Sequence, residues 1–400
     1  MSVGGTAIDT TAAGNGTQLL LSGGAATGTT VNSGGSQQVR LGGTAGGTTV
    51  NAQGFEYVTG TTIDTTVNNG GGDYVYGGAT AFGTTVNGGG TQEVYGTASG
   101  TTVNVSGTEF VGVDGHASGT IVFGHEVVDG PGARTFDAEV DSGGDETVSH
   151  FGTASGTILN GAHMYVSSAG TAVSATVNGN ADLYVYSGGV AISITVNNDT
   201  GNSYNGGTGF VTGGSVTSTT VNDAGSFEVV GSGGTSVDAT VNSGGTESVY
   251  GGSASSATVE YGGSENVRYG GTAIGTMLNR GRDLVDAGSL AMSTTVNSDG
   301  QESVLSGGVA SGAVVNNGGT EVAFAGGLIP DTVLRPGGAI DLPDLSYTAG
   351  GSATLNSGTD ILTVIEGGQG ATLKLAGDYS GEAFHTGPDG GGGTLITGVR

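Results

Sequence analysis

Short runs of alternating apolar and polar residues, each bounded by glycine, fill most of this chain. A typical pair of runs is 246–250 (TESVY) and 257–259 (ATV), which a Gly-Gly pair and an alanine separate. Alternation with a period of two predicts β-strands that bury one face, and glycine pairs predict tight turns at positive φ. The pattern therefore predicts many short strands joined by turns.

The runs belong to a repeat whose clearest marker is a Thr-Thr-Val-Asn tetrapeptide, first present at 29–32. The asparagine position returns every 17–20 residues, except for one longer step from Asn197 to Asn222, which we assign to a loop insertion at 202–205. One such unit cannot bury its apolar face alone, so successive units must stack. We predict an all-β repeat solenoid, a right-handed parallel β-helix of about 18 rungs, with stacked asparagine amides at one corner.

The repeat pattern changes near residue 329. Four of the five prolines lie beyond that point, and the asparagine motif ends at Asn316. An uncovered last rung would offer unpaired backbone donors and acceptors to other chains. We therefore expect two regions, a solenoid over 1–335 and a small C-terminal β cap or β domain over 336–400.

Composition and charge narrow the class of protein further. With 87 glycines, 6% aromatic residues and no cysteine, the chain has no conventional Leu/Phe core, disulfide or thiolate chemistry. Its formal net charge of −27 repels phosphate, so we expect no nucleic-acid partner. The N-terminus has neither a basic nor an apolar segment, so we expect no cleavable signal peptide, and no apolar run is long enough to span a bilayer.

The most regular polar feature is an acidic column, which recurs about five positions after each asparagine. Its members are Glu56, Asp73, Glu109, Glu146, Glu247, Glu265, Glu302 and Glu321, with Asp182, Glu228 and Asp283 within one step. Neighbouring charges in this column would lie about 5 Å apart and repel each other by about 1 kcal/mol in water. We interpret the column as a solvated face that resists aggregation. Weak calcium binding is the alternative; no other cofactor is expected.

Histidines concentrate where the repeat is most degraded, within residues 114–163. Those histidines are His116, His125, His150 and His163. A polysaccharide-active enzyme would need several carboxylates converging on one cleft. The residues that would have to meet there are Asp141, Asp145, Glu146 and His150. We predict that the protein is not an enzyme, and a polysaccharide-active enzyme is the alternative.

Residues 242–260 (NSGGTESVYGGSASSATVE) resemble the strand-loop-strand repeat of AIDA-type autotransporter passengers, which are bacterial surface adhesins. The resemblance covers roughly residues 3–335, where both glycine pairs, the alanine and Thr-x-Val-Asn recur in register. It implies a secreted or cell-surface β-helical passenger that mediates cell adhesion or biofilm contact. The implied partners are host-cell, bacterial or matrix surface ligands.

The resemblance also implies sugar on the repeat, because some members carry heptose on serine, added by a heptosyltransferase. The candidate acceptors are the serines that follow the asparagine position: Ser33, Ser142, Ser243 and Ser298. Serine is equally a common turn residue.

A further alternative is a calcium-dependent matrix protein or an ice-surface binder. Ice binding would need a flat, regular row of outward threonines. The residues that could form it are Thr30, Thr49, Thr66, Thr85 and Thr102. Strand alternation leaves open which threonine of each pair points outward.

Overall fold

A computed structural model of the chain describes residues 2–198 and 206–399. The predicted loop insertion at 202–205 lies outside the described residues. The chain divides into two compact units, Met1–Ile194 (the N-terminal unit) and Thr195–Arg400 (the C-terminal unit). The described residues contain strands and turns and no helix. No helix there is long and apolar enough to cross a membrane.

The N-terminal unit is a stack of coils, and each complete coil contributes one strand to each of three parallel sheets. The strands of sheet 1 are Ser2–Val3, Thr17–Leu20, Ser36–Val39, Phe55–Val58, Gly72–Val75, Thr91–Val94, Thr108–Val111, His125–Asp129, Asp145–Ser149, His163–Val166 and Asp182–Tyr186. Those of sheet 2 are Thr6–Ile8, Ala25–Thr27, Thr44–Gly46, Thr61–Ile63, Thr80–Phe82, Thr97–Ser99, His116–Ser118, Arg134–Phe136, Thr153–Ser155, Thr171–Val173 and Val190–Ile192. Those of sheet 3 are Thr11–Ala12, Thr30–Val31, Thr49–Val50, Thr66–Val67, Thr85–Val86, Thr102–Val103, Ile121–Val122, Glu139–Asp141, Ile158–Asn160 and Thr176–Val177.

The C-terminal unit repeats this arrangement. Its sheet 1 contains Thr208–Thr212, Phe227–Val230, Thr246–Tyr250, Ser264–Arg268, Arg282–Val285, Gln301–Val304, Thr320–Ala323 and Ala339–Leu342. Its sheet 2 contains Ser215–Thr217, Thr235–Val237, Ser253–Ser255, Thr272–Ile274, Leu290–Met292 and Val309–Ser311. Its sheet 3 contains Thr195–Val196, Thr220–Val221, Thr240–Val241, Thr258–Val259, Met277–Leu278, Thr295–Val296, Val314–Val315 and Val333–Leu334. With about 17 turns of parallel solenoid, the predicted right-handed parallel β-helix is confirmed.

Valine and alanine fill the interior of the coils, as the composition predicts. In the N-terminal unit, Val31 of sheet 3, Val39 of sheet 1 and Ala45 of sheet 2 are completely buried. The same positions recur in neighbouring coils, since Val31 pairs in register with Val50, and Ala45 with Ala26. Small side chains suit this narrow interior, because all three sheets face the same space.

The corner between sheets 3 and 1 depends on asparagine and glycine. The Nδ2 of Asn51 donates to Oδ1 of Asn32 at 2.8 Å, and Asn68 donates to Asn51 at the same distance. The predicted amide ladder is therefore confirmed. At Gly54, a Cβ would lie 2.6 Å from the carbonyl oxygen of Val31 in the neighbouring coil, so only glycine lets the coils approach this closely.

Five antiparallel strands follow the last parallel coils of the C-terminal unit. They are Ser352–Asn356, Ile361–Glu366, Gln369–Lys374, Ala383–Pro388 and Thr394–Val399. The last strand pairs antiparallel with Ala339–Leu342, with Ile396 opposite Ile340. Leu334, Ile340, Leu375 and Ile396 share one buried cluster, so these strands cover the end of the parallel stack. The boundary at 335/336 stays a prediction.

Candidate functional site

The acidic column lies inside the coils, so its interpretation as a solvated face is wrong. In the N-terminal unit, Glu56 pairs in register with Asp73. Glu109 pairs in the same way with Glu126, and Glu126 with Glu146. All five side chains have no exposed surface. They alternate in phase with the inward valines of sheet 1, so their side chains point into the interior and away from water. Glu126 is an additional member that the repeat spacing missed.

Asp182 does not belong to this column. It points outward, one quarter exposed, while its neighbour Leu183 takes the inward position and is buried. The expectation that Asp182 continues the acidic column is therefore wrong. A one-residue step reverses the face of a strand on which a side chain lies.

Hydroxyl and amide groups partly compensate the buried carboxyls of the N-terminal unit. The hydroxyl of Thr65 donates to Glu56 at 2.9 Å, and the Nε2 of Gln92 donates to Asp73 at 2.9 Å. Burial and the neighbouring Asp73 still raise the pKa of Glu56 to about 8. Burial also raises the pKa of Glu146 to about 7, so these carboxyls hold protons near neutral pH.

In the C-terminal unit the column is uninterrupted over six coils. Its members, each in register with the next, are Glu228, Glu247, Glu265, Asp283, Glu302 and Glu321. All six are at most 1% exposed. Burial, followed by repulsion from Glu247, raises the pKa of Glu228 to about 8. Burial raises the pKa of Glu302 to about 7, which the nearby hydroxyl of Thr294 only partly offsets.

Sharing of protons between neighbouring carboxyls can relieve the repulsion along the column. A protonated carboxyl can donate to the carboxyl in the next coil, which satisfies a buried oxygen without another ion. Among residues 2–198 and 206–399, no three His, Cys, Asp or Glu side chains are placed to hold a metal ion. Calcium binding therefore stays a prediction without support from this geometry.

Histidine and aspartate alternate on the outward face of sheet 1 in the N-terminal unit. His125, Asp145, His163 and Asp182 follow one another in register on four neighbouring strands. The Nδ1 of His125 contacts Asp145, and the Nδ1 of His163 lies 3.4 Å from Asp182. These side chains are partly exposed, so the ladder is a solvated surface feature.

The four residues required by the enzyme alternative do not share one cleft. Glu146 faces the interior, whereas Asp145 points outward to His125. His150 lies at a corner and pairs with Asp129 at 2.7 Å, and Asp141 joins the asparagine ladder by accepting from Asn160 at 3.1 Å. His116 lies on sheet 2 instead.

The candidate glycosylation serines share one structural position. Each is exposed in the turn that follows the asparagine corner: Ser33, Ser142, Ser243 and Ser298. The hydroxyl of Ser33 donates to Oε1 of Gln53 in the next coil at 2.8 Å. An exposed hydroxyl on a tight turn is accessible to a modifying enzyme.

The paired threonines have separate roles. The first of each pair is buried, as Thr65 is beneath Glu56. The second points outward and is half-buried, in register from coil to coil: Thr30, Thr49, Thr66, Thr85 and Thr102. The N-terminal unit therefore presents the second threonines outward and in register in successive coils.

Sequence reasoning missed an aromatic surface on sheet 1 of the N-terminal unit. The ring centroids of Tyr57 and Tyr74 are 5.4 Å apart with nearly parallel planes, and Phe55 lies 6.1 Å from Tyr74. Tyr95 and Phe110 form a second pair at 6.3 Å. The signal was available, because these residues alternate out of phase with the buried valines.

No protein-family model matches the chain, and a search of the curated proteins gives no match. Among solved structures, the chain is similar to a crystal structure of a TibA fragment whose hyper-glycosylation is catalysed by TibC. The TM-score is 0.53 with 28% sequence identity, and the match covers 86% of this chain and 97% of that chain. The resemblance to AIDA-type autotransporter passengers is thereby confirmed.

Proposed function

We propose that this AIDA-type passenger-like chain is a non-enzymatic structural protein, secreted or displayed on a bacterial cell surface, that mediates cell adhesion or biofilm contact. The observation that carries the proposal is the similarity to the TibA fragment over 86% of the chain. The ligand is a host-cell, bacterial or matrix surface component. The coiled fold supports this role, because each outward position recurs from coil to coil.

Repetition has a direct consequence for binding. A contact that is weak in one coil is offered again about 4.8 Å away in the next. Several such contacts on one molecule raise the overall avidity above that of any single contact. The separated positions of Glu146, Asp145 and His150 further support a binding role over catalysis.

The adhesion proposal is tested with beads that carry the full chain. We expect them to adhere to epithelial cells, bacteria or matrix-coated plates several-fold more than beads carrying an unrelated acidic protein of similar charge. Free chain should compete for adhesion. Retention at the control level on all three surfaces would contradict the proposal.

Glycosylation of the chain by a heptosyltransferase belongs to the same proposal. TibC glycosylates the similar TibA fragment, and the candidate serines are exposed at equivalent turns: Ser33, Ser142, Ser243 and Ser298. Incubation with such an enzyme and its sugar donor should add sugar at these sites, detected by peptide mass spectrometry. Ser36, a strand residue, provides an internal control. Modification confined to other residues would contradict the assignment.

Ice-surface binding is a second candidate, favoured by the outward threonine row of the N-terminal unit. The row extends in register through Thr30, Thr49 and Thr66. Thermal hysteresis of the purified chain tests it, with Thr49→Lys as the variant expected to abolish the effect. Absence of hysteresis in the wild-type chain would exclude this candidate.

A further inference from the structure

Glu93 lies among aromatic rings on the outward face of sheet 1 in the N-terminal unit. On neighbouring strands it is in register with Tyr74 on one side and Phe110 on the other. The hydroxyl of Tyr95, the residue that follows the strand of Glu93, donates to Oε2 of Glu93 at 3.1 Å. We call Tyr74, Glu93, Tyr95 and Phe110 the aromatic box.

The rings of Tyr95 and Phe110 pack closely against Gly112 in the next coil. A Cβ on Gly112 would collide with the ring of Tyr95 and would lie 3.0 Å from the ring of Phe110. The absence of a side chain there lets both rings lie against the strand. Burial, followed by the charge of Glu93, raises the pKa of both Tyr74 and Tyr95. The negative field of the carboxylate therefore extends over the neighbouring rings.

A carboxylate surrounded by aromatic rings is chemically suited to a cation. The face of a tyrosine or phenylalanine ring attracts an ammonium or guanidinium group within about 6 Å, and the carboxylate adds a charge-assisted hydrogen bond. No lysine or arginine forms an ion pair with Glu93 in the part of the chain that the structure describes. Asp182 is another outward carboxylate beside a tyrosine, Tyr184. Its Oδ2 already lies 3.4 Å from Nδ1 of His163.

The charge of the chain complements a basic partner. Residues 1–194 contain two arginines, Arg40 and Arg134, and no lysine, and the full chain has a formal net charge of −27. Arg40 donates to Gln38 at 2.8 Å. This field attracts cationic partners over long range and repels phosphate or acidic glycans.

We propose that the aromatic box binds a lysine or arginine side chain from a basic segment of a partner protein. The cationic group lies over the rings of Tyr74 and Phe110, and Glu93 accepts a hydrogen bond from it. This inference deepens the proposed adhesive function and rests on it for its biological meaning. It assigns one class of ligand, a basic polypeptide, to one surface.

The test measures binding of a fluorescent peptide of alternating arginine and serine to the purified full chain. The matched probe contains citrulline, which keeps the shape of arginine without its charge. We expect Glu93→Gln to weaken binding of the arginine peptide about tenfold and Tyr74→Leu about fivefold. Glu139→Gln makes the same charge change at an exposed site on sheet 3, and Tyr269→Leu removes an exposed ring elsewhere. Both controls should change affinity less than twofold.

Four outcomes would overturn the proposal. Equal affinity for the citrulline peptide would show that no cation is recognised. Equal weakening by Glu93→Gln and Glu139→Gln would show only attraction to the net charge, as would complete loss of binding in 0.5 M salt, where the Debye length is only about 4 Å. Binding of neutral oligosaccharides at the box, with no binding of the arginine peptide, would assign another ligand class.

Failure of this inference can be distinguished from failure of the proposed function. If bead adhesion occurs and Glu93→Gln changes neither adhesion nor peptide binding, the box is refuted and the adhesive function stands. If wild-type beads adhere to no surface but the peptide binds through Glu93, the adhesive function is refuted and the cation site stands. Circular dichroism of each variant confirms that the fold is kept.

Discussion

Glu302 and Glu321 lie side by side in the interior of the C-terminal unit, in register on neighbouring strands, and solvent reaches neither side chain. Two ionised carboxylates on adjacent strands would repel each other strongly in an interior of low polarity. Burial raises the pKa of Glu302 to about 7, and burial with the nearby charge of Glu302 raises that of Glu321 further above its usual value. These carboxyls therefore remain protonated in the folded state at pH values at which they would be ionised in the unfolded chain.

Stability should decrease from mildly acidic to alkaline pH. Burial raises the pKa of Glu265 from 4.5 to about 8, so between these values the folded state binds more protons than the unfolded state. The free energy of unfolding then falls as pH rises. The contribution is fully present below pH 4.5 and is lost as pH passes through 8. Urea midpoints at pH 5, 7 and 9 measure it, and a midpoint that stays constant or rises would contradict the prediction.

Replacing one buried carboxyl by an amide should reduce this pH dependence. Gln already occupies the column in the N-terminal unit, where the Nε2 of Gln37 donates to Gln18 at 2.8 Å. Glu302→Gln removes one ionisable group and lets the amide donate to Glu321 or Asp283. We expect the variant to be more stable than wild type at pH 9 by about 1–3 kcal/mol, with a smaller difference at pH 5.

The control for this variant is Glu139→Gln, which removes the same charge from an exposed side chain. Its urea midpoints should follow those of the wild-type chain from pH 5 to pH 9. If both variants change the pH dependence equally, the effect comes from net charge and not from the buried column.

The repeat predicted the coils, the Val/Ala interior and the asparagine ladder, because each depends on local alternation and regular spacing. It did not reveal that the acidic column is inside, although Glu247 is in phase with the buried Val249 two residues later. Carboxylates are usually hydrated at the protein surface, and this general preference opposes what the phase indicates. The spacing did not place Glu126 in the column, because Phe123 occupies the asparagine position only three residues before it. The aromatic box was hidden because its members come from successive coils.

Breaking the asparagine ladder should destabilise the N-terminal unit. Asn68 donates to Asn51 and accepts from Asn87, both at 2.8 Å. Asn68→Leu keeps a similar size but removes both bonds, which we expect to cost about 1–3 kcal/mol. Asn68→Asp should cost less, because its carboxylate can still accept from Asn87, as Asp141 accepts from Asn160. Urea denaturation orders the three chains, and equal stability of Asn68→Leu and wild type would contradict the ladder's role.

Removal of one complete coil should preserve the fold of the C-terminal unit. Deleting 243–260 joins Asn242 to Tyr261, and Ser264 then takes the place of Thr246, with which it pairs in register. The inward side chains of all later coils keep their orientation. Since each coil contacts mainly its neighbours, the loss should be about one coil's contribution, and unfolding should remain cooperative.

Insertion of a single alanine after Glu247 provides the contrast. It places Ser248 where Val249 is buried and turns Val249 outward, because one added residue reverses the alternation. We expect this insertion to lower the urea midpoint much more than deletion of the complete coil does, although it changes the chain by one residue only. Circular dichroism during urea denaturation compares the two chains. Equal losses would mean that register between coils does not determine stability, which would contradict the interlocked packing of the column and the valines beside it.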